Sequence, residues 1–77
     1  NPFNPSTTIK YQLPKGEFVS LKVYDILGNE VVSLVNREQS AGSYEVTLEA
    51  GNLASGVYIY TISAGTYRSS KKLILMK

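Results

Sequence analysis

Cysteine and histidine are both missing from this chain of 77 residues. Without cysteine there is neither a disulfide nor a thiol nucleophile. Without histidine the commonest general base and a preferred zinc ligand are missing as well. The six carboxylates are scattered along the sequence and form no recognisable acid/base pair or metal cluster. We therefore expect no catalytic residue, no metal site and no cofactor.

Charge and long hydrophobic runs are also scarce. The formal net charge of +2 is too small to indicate nucleic-acid binding, and no basic patch is interleaved with aromatic residues. No segment approaches the roughly 20 apolar residues of a membrane-spanning helix. A chain of this length has room for one domain, so residues 1–77 are interpreted as one. Because it begins with Asn1, we interpret it as a module of a longer protein, although an arbitrary boundary would look the same.

Apolar and polar residues alternate with period two in several segments, and no segment keeps a helical period beyond one turn. Turn signals separate these segments at intervals of about ten residues. The predicted strands are residues 7–13, 18–24, 30–35, 44–48, 57–63 and 67–76. This pattern predicts a small all-β sandwich of the immunoglobulin or fibronectin III type, with six to seven mostly antiparallel strands. The polar segments 36–42 and 51–56 are predicted loops, either of which could hold a seventh short strand.

Two local motifs add detail to this prediction. Asp25 is expected to begin a turn by accepting backbone N–H groups of its own segment, with Gly28 at positive φ. The segment Leu-Ala-Ser-Gly-Val-Tyr at 53–58 resembles the tyrosine corner of such sandwiches. There a tyrosine at the start of a late strand turns inward and bonds backbone a few residues upstream. Gly56 would provide the sharp entry and Tyr58 the hydroxyl.

The last seven residues are an apolar run flanked by lysines, from Lys71 to Lys77. Leu73 and Leu75 fall on one face of the predicted strand, and Ile74 and Met76 fall on the other. A strand that is apolar on both faces usually has both faces covered. Two interpretations remain open at this point. Loops cover the strand, or it is an exposed apolar and basic strip that docks on a partner, for instance by strand addition.

The first residues follow a different pattern, because Pro2 and Pro5 each come after an asparagine. A residue that precedes proline is disfavoured in helix, so this stretch is expected to be extended and to lie at or beyond a sheet edge. Phe3, between the two prolines, is predicted to cover one end of the core.

Five segments occur in an order that is typical of one family. They are Asn-Pro-Phe-Asn-Pro-Ser-Thr-Thr-Ile at 1–9, Val-Tyr-Asp-Ile-Leu-Gly-Asn-Glu-Val at 23–31, Ala-Gly-Ser-Tyr at 41–44, Ala-Ser-Gly-Val-Tyr at 54–58, and Lys71-Lys72-Leu73 with Lys77. Together they resemble the C-terminal sorting domain (type A) of the type IX secretion system. Each segment alone is weakly specific, whereas the ordered set spans the whole chain.

The resemblance implies a non-catalytic sorting signal at the C-terminus of a larger protein of a Gram-negative bacterium. That protein would pass through the periplasm to the cell surface or the medium. The implied partners are the translocon, a surface sortase that commonly removes the domain, and an N-terminal cargo that is often an enzyme or adhesin. Neither a nucleic acid nor a small-molecule substrate is implied. The family is a seven-stranded sandwich, and its recognition signal maps here to Lys71, Lys72, Leu73 and Lys77. Gly28, Gly56 and Tyr58 correspond to structural positions.

A second resemblance is to the immunoglobulin-like domain of flagellar hook-capping proteins. It would imply an accessory module of an extracellular enzyme or adhesin, acting as a spacer or a carbohydrate-binding appendage. The short segment 49–52, where such domains commonly carry an insertion, favours the sorting domain. Only Tyr24 and Tyr67 are predicted to lie outside the core, which is too few tyrosines for a convincing sugar-stacking platform.

Overall fold

Six antiparallel strands in two sheets make up the structure, a computed structural model that describes residues 6–76. The strands are β1 (Ser6–Leu13), β2 (Glu17–Asp25), β3 (Glu30–Gln39), β4 (Gly42–Glu49), β5 (Gly56–Ala64) and β6 (Tyr67–Leu75). β1 pairs with β4, and the other four strands form a sheet in the order β3–β2–β5–β6. The predicted small β-sandwich is confirmed, and residues 6–76 contain six strands rather than seven.

Pro2, Phe3, Pro5 and Lys77 lie outside the described residues, so the predictions made for them stay predictions. Within the described part of the chain, no helix is long and apolar enough to cross a membrane.

The central strand β2 shows how period-two alternation builds the core. Val19, Leu21 and Val23 are completely buried, whereas Ser20 and Lys22 between them point to the opposite face. Burial of one such apolar side chain contributes about 1.5–3 kcal/mol. β2 therefore provides the centre of the sandwich, as its sequence predicts.

The buried residues form two clusters. The first contains Ile9, Leu13, Val19, Leu21, Val35, Ile62 and Ala64. The second contains Val23, Leu48, Ala50, Tyr58 and Leu75. Tyr60 and Leu34 pack against both clusters and connect them. Strands β2 and β5 contribute to both clusters, so the four-stranded sheet is the common support of the core.

The prediction that residues 36–42 form a loop is wrong over most of its length. β3 continues to Gln39, where it pairs with Glu17 at the start of β2. β3 lies at the edge of its sheet, and residues 36–38 are exposed there, so Arg37 and Glu38 need not be apolar. Backbone pairing with β2 fixes this half of the strand, and polarity alone does not reveal it.

The turn from β2 to β3 forms as its sequence predicts. The Asp25 carboxylate accepts the backbone N–H groups of Leu27 at 3.0 Å and of Asn29 at 2.9 Å. Gly28 has a φ of 89°, a left-handed conformation that favours glycine. The backbone N–H of Asn29, more than any other group, lowers the pKa of the Asp25 carboxyl.

The tyrosine corner is also confirmed. The Tyr58 hydroxyl donates a hydrogen bond of 2.7 Å to the carbonyl of Ala54, and the side chain is only 7% exposed. Leu53 is half-buried and packs against the second cluster. The corner therefore fixes the path by which the chain crosses from β4 in one sheet to β5 in the other.

Candidate recognition surface

The C-terminal strand β6 forms one edge of the four-stranded sheet. It pairs with β5 over nine consecutive residues without a register shift, from Ala64↔Tyr67 to Gly56↔Leu75. No strand among residues 6–76 pairs with its other side. Lys71 and Lys72, which pair with Tyr60 and Ile59, therefore lie in the middle of an open edge.

The two faces of β6 have different surroundings. Leu75 is 4% exposed, and Leu73 is half-buried and packs against the second cluster. On the other face Ile74 is 58% exposed, and Met76, just beyond the strand, is 79% exposed. The core therefore takes the leucine face of the segment, and within residues 6–76 the face with Ile74 and Met76 is exposed.

The exposed face of β6 continues across the sheet. Tyr24, Ile59 and Lys72 are aligned on β2, β5 and β6, and Val57 pairs with Ile74 in the next row. Ile59 is 39% exposed. The result is an apolar surface on the outside of the sandwich, with Lys72 within it.

Lys71 and Lys72 also differ from the other lysines in charge environment. Three lysines, Lys10, Lys15 and Lys22, lie within 3.4–3.8 Å of a glutamate. Lys71 and Lys72 form no ion pair with any residue of the described range, and their side chains are exposed. Both charges are therefore available to a partner. As neighbours in a strand they point to opposite faces of the sheet.

The structural positions of the motif gather at the end of the sheet where β6 stops. Gly56 pairs with Leu75, and Tyr58 pairs with Leu73 on one side and Asp25 on the other. The turn that contains Gly28 follows Asp25 directly. The corner and the turn therefore support the end of β6. Strand pairing connects them to Leu73 but not to Lys71 or Lys72.

Sequence reasoning missed a cleft of about 550 Å³ beside β6. Residues of β1, β5 and β6 line it, among them Tyr11, Tyr60, Tyr67 and Lys71. Such a cleft follows from the unequal sheets, since two strands cannot cover four. To predict the cleft, one would need the number of strands in each sheet, and the alternation of apolar and polar residues does not give that number.

The aromatic residues near the cleft are held by specific contacts. The Tyr11 ring stacks on Tyr44 with the ring centres 5.4 Å apart, and its hydroxyl donates to the Gln39 side chain. Burial, the largest influence, raises the pKa of Tyr11. The Tyr44 hydroxyl donates to the carbonyl of Ser40 at 2.6 Å. These contacts keep the wall of the cleft ordered.

The two tyrosines predicted to lie outside the core do not share a surface. Tyr24 is half-buried on the outer face, whereas Tyr67 is 61% exposed and lines the cleft. They cannot stack on one sugar chain. Among residues 6–76 there is also no group of three or more acidic side chains placed to hold a metal ion.

Comparison with known protein families identifies the family to which this chain belongs. The family model described as "Secretion system C-terminal sorting domain" matches residues 1–76. Searches of curated proteins and of solved structures found no significant match. The family match covers nearly the whole sequence and agrees with the first of the two resemblances. The chain belongs to the family of C-terminal sorting domains of the type IX secretion system.

Proposed function

We propose that β6 is the part of this sorting domain that the secretion machinery reads, with Lys71, Lys72, Leu73 and Lys77 as its recognition residues. One observation carries the proposal. Two exposed lysines without ion-pair partners in residues 6–76 lie in the middle of an open edge strand. An edge strand offers unpaired backbone groups as well as side chains, and so suits recognition by another protein.

The recognition residues have different tasks in this proposal. Lys71 and Lys72 contact the partner from opposite faces of the sheet. Leu73 packs against the second cluster and keeps the strand in register. Gly28, Gly56 and Tyr58 act indirectly, because they hold the end of the sheet to which β6 is paired.

The wider role follows the family. The domain directs a cargo joined to its N-terminal side through the outer membrane of a Gram-negative bacterium, after a transient periplasmic stage. The cargo is a secreted protein such as an enzyme or adhesin, and a surface sortase then attaches or releases it. The domain itself is non-catalytic and takes neither a nucleic acid nor a small-molecule substrate.

The test is an export assay in a host that has a type IX system. A reporter with a signal peptide is fused to the chain, and surface and periplasmic fractions are compared. Lys71→Ala with Lys72→Ala should retain the reporter in the periplasm, since the strand stays folded but loses both charges. Arg37→Ala, which removes an exposed charge from the opposite edge strand, should export normally.

Thermal unfolding of each purified variant separates lost recognition from lost folding. Both variants should melt within a few degrees of the parent chain, because surface substitutions usually change stability by less than about 0.5 kcal/mol. Export of the double variant at the parent level would show that these lysines are not read.

A further inference from the structure

We propose that β6 is read by strand addition, and that the added segment is an acidic, extended stretch of another protein. This inference rests on the proposed function, since it names the partner chemistry of the same strand. In strand addition, main-chain hydrogen bonds provide affinity, and alternate side chains provide specificity.

The first support is the regularity of the β6 edge. The opposite edge strand, β3, shifts register against β2 at two points, between Leu21 and Lys22 and between Val23 and Tyr24. Such bulges disrupt an edge and protect it from further pairing. β6 has no shift along its nine paired residues, and it contains no proline. Of the two edges of the large sheet, only β6 offers a continuous ladder of backbone groups.

The second support is the sign of the charge. The last acidic residue of the sequence is Glu49, so β5 and β6 contain none. Among described residues beyond it, three cations remain, Arg68, Lys71 and Lys72, all exposed and all on β6. None of them forms an ion pair within residues 6–76. Like charges directly opposite each other destabilise a strand pair, whereas opposite charges stabilise it. The strand therefore repels a second β6 and attracts an acidic one.

The third support is the space beside the strand. A segment added to β6 would extend the four-stranded sheet on the side where the smaller sheet leaves it uncovered. Alternate side chains of that segment would point toward the cleft, whose walls include Tyr67, Ser69 and Lys71 of β6. Lys10, Lys15 and Glu17 also line it, and each of these two lysines lies 3.8 Å from a glutamate, so among the described residues Lys71 provides the cation of the cleft that is not in an ion pair. The cleft therefore suits acidic or small apolar side chains at every second position.

The other alternate side chains of the segment would extend the outer face. On that face β6 presents Arg68, Ser70, Lys72 and Ile74, in this order toward its end. Acidic side chains near Arg68 and Lys72, followed by an apolar one beside Ile74, would complement this row. The partner strand is thus acidic on the outer face, apolar beside Ile74, and either acidic or small and apolar on the face toward the cleft.

The experiment uses the 77-residue chain and a blocked nine-residue peptide in which glutamate alternates with valine. Nuclear magnetic resonance would follow binding and the hydrogen exchange of each backbone amide. We expect every second amide of β6 to exchange more slowly with peptide bound, because only alternate amides face the open edge. The same peptide with lysine in place of glutamate should bind at least tenfold more weakly.

Backbone-modified peptides then separate strand pairing from simple charge attraction. N-methylation of all valines blocks one edge of the peptide, and N-methylation of all glutamates blocks the other. One of these peptides should lose at least tenfold in affinity and the other should bind like the parent. Lys71→Glu should weaken binding of the glutamate peptide, whereas Arg37→Glu on β3 should leave it unchanged.

Three results would overturn the proposal. Equal binding of both N-methylated peptides would reduce the interaction to charge alone. Slowed exchange on β1, β3 or β4 would place the added strand elsewhere. Self-association of the chain through β6 without peptide would make a second copy the occupant. If export depends on Lys71 and Lys72 but the peptide does not pair with β6, the strand-addition proposal is wrong and the proposed function still stands. If the peptide pairs but export does not depend on those lysines, the recognition role proposed for Lys71 and Lys72 is wrong.

Discussion

The Tyr58 hydroxyl is the single atom on which the tyrosine corner depends. Tyr58→Phe removes its 2.7 Å hydrogen bond to Ala54 and keeps the ring in the second cluster. The free energy of unfolding should fall by about 0.5–1.5 kcal/mol, measured by urea denaturation. Tyr67→Phe is the matched control, because that side chain is 61% exposed and should change nothing. Equal stability of both variants and the parent would show that the corner bond contributes nothing.

The Asp25 carboxylate gives the turn a dependence on pH. Its pKa is lowered in the folded chain, chiefly by the backbone N–H of Asn29. Its stabilising contribution is therefore complete above the pKa of the unfolded chain. It is lost as the pH falls through the lower pKa of the folded chain. The melting temperature of the parent should consequently fall more steeply than that of Asp25→Asn between pH 5 and about pH 2.

The measurement is thermal unfolding of both proteins in matched buffers across that range. The asparagine side chain can still accept a backbone N–H but does not titrate, so it isolates the charge. Parallel curves over the whole range would mean that ionisation of Asp25 does not stabilise the turn.

At the scale of elements, alternation along β6 predicts two different consequences for neighbouring residues. Leu75 is 4% exposed within the second cluster, so Leu75→Ala should cost about 2–4 kcal/mol. Ile74 is 58% exposed, and Ile74→Thr keeps a β-branched side chain. Its effect on the free energy of unfolding should stay within about 0.5 kcal/mol.

Denaturant titration of the two variants measures this contrast directly. Leu75→Ala should unfold at a lower denaturant concentration with little change in slope. If Ile74→Thr proved the more damaging change, the two faces of β6 would be assigned the wrong way round.

The sequence predicted the central strands better than the edges. In β2, alternation correctly predicts that Val19, Leu21 and Val23 are buried. The strand lies between β3 and β5, and the smaller sheet covers the face that carries these three side chains. The end of β3 was missed, since Arg37 to Gln39 are polar and are placed in the strand by pairing with β2. The corner and the turn were predicted because their causes are local: one hydroxyl, one carboxylate and one glycine.

The candidate recognition surface was predictable only in part. Lysines around an apolar run marked β6 as unusual, but alternation cannot show which strand lies beside which. The edge position of β6 depends on the order β3–β2–β5–β6, which long-range pairing sets. The cleft near Lys71 depends in turn on how the two sheets face each other. Both features are absent from any short window of the sequence.

At the scale of the whole molecule, the strand proposed for recognition, β6, is also part of the folded core. Deletion of residues 71–77 removes Leu73 and Leu75 from the second cluster and breaks more than half of the β5–β6 pairing. A small domain has only about 5–15 kcal/mol of stability in total. The truncated chain should therefore lose cooperative thermal unfolding, followed by circular dichroism.

Deletion of residues 76–77 alone is the control, because Met76 is 79% exposed and follows the strand. That chain should melt like the parent. A truncation at residue 70 that still unfolds cooperatively near the parent temperature would mean that the second cluster does not need β6. Lost export of the truncated chain would therefore report lost folding as well as lost recognition.

The positions of the two outermost strand ends have a mechanical consequence. β1 begins at Ser6, which pairs with Glu49, and Leu48 next to it packs in the same cluster as Leu75, where β6 stops. Both strand ends thus lie at one end of the sandwich. A pulling force applied between them would open Ser6↔Glu49 and Gly56↔Leu75 first and then peel each strand away pair by pair. The domain should therefore yield to tension at low force, whatever its resistance to heat.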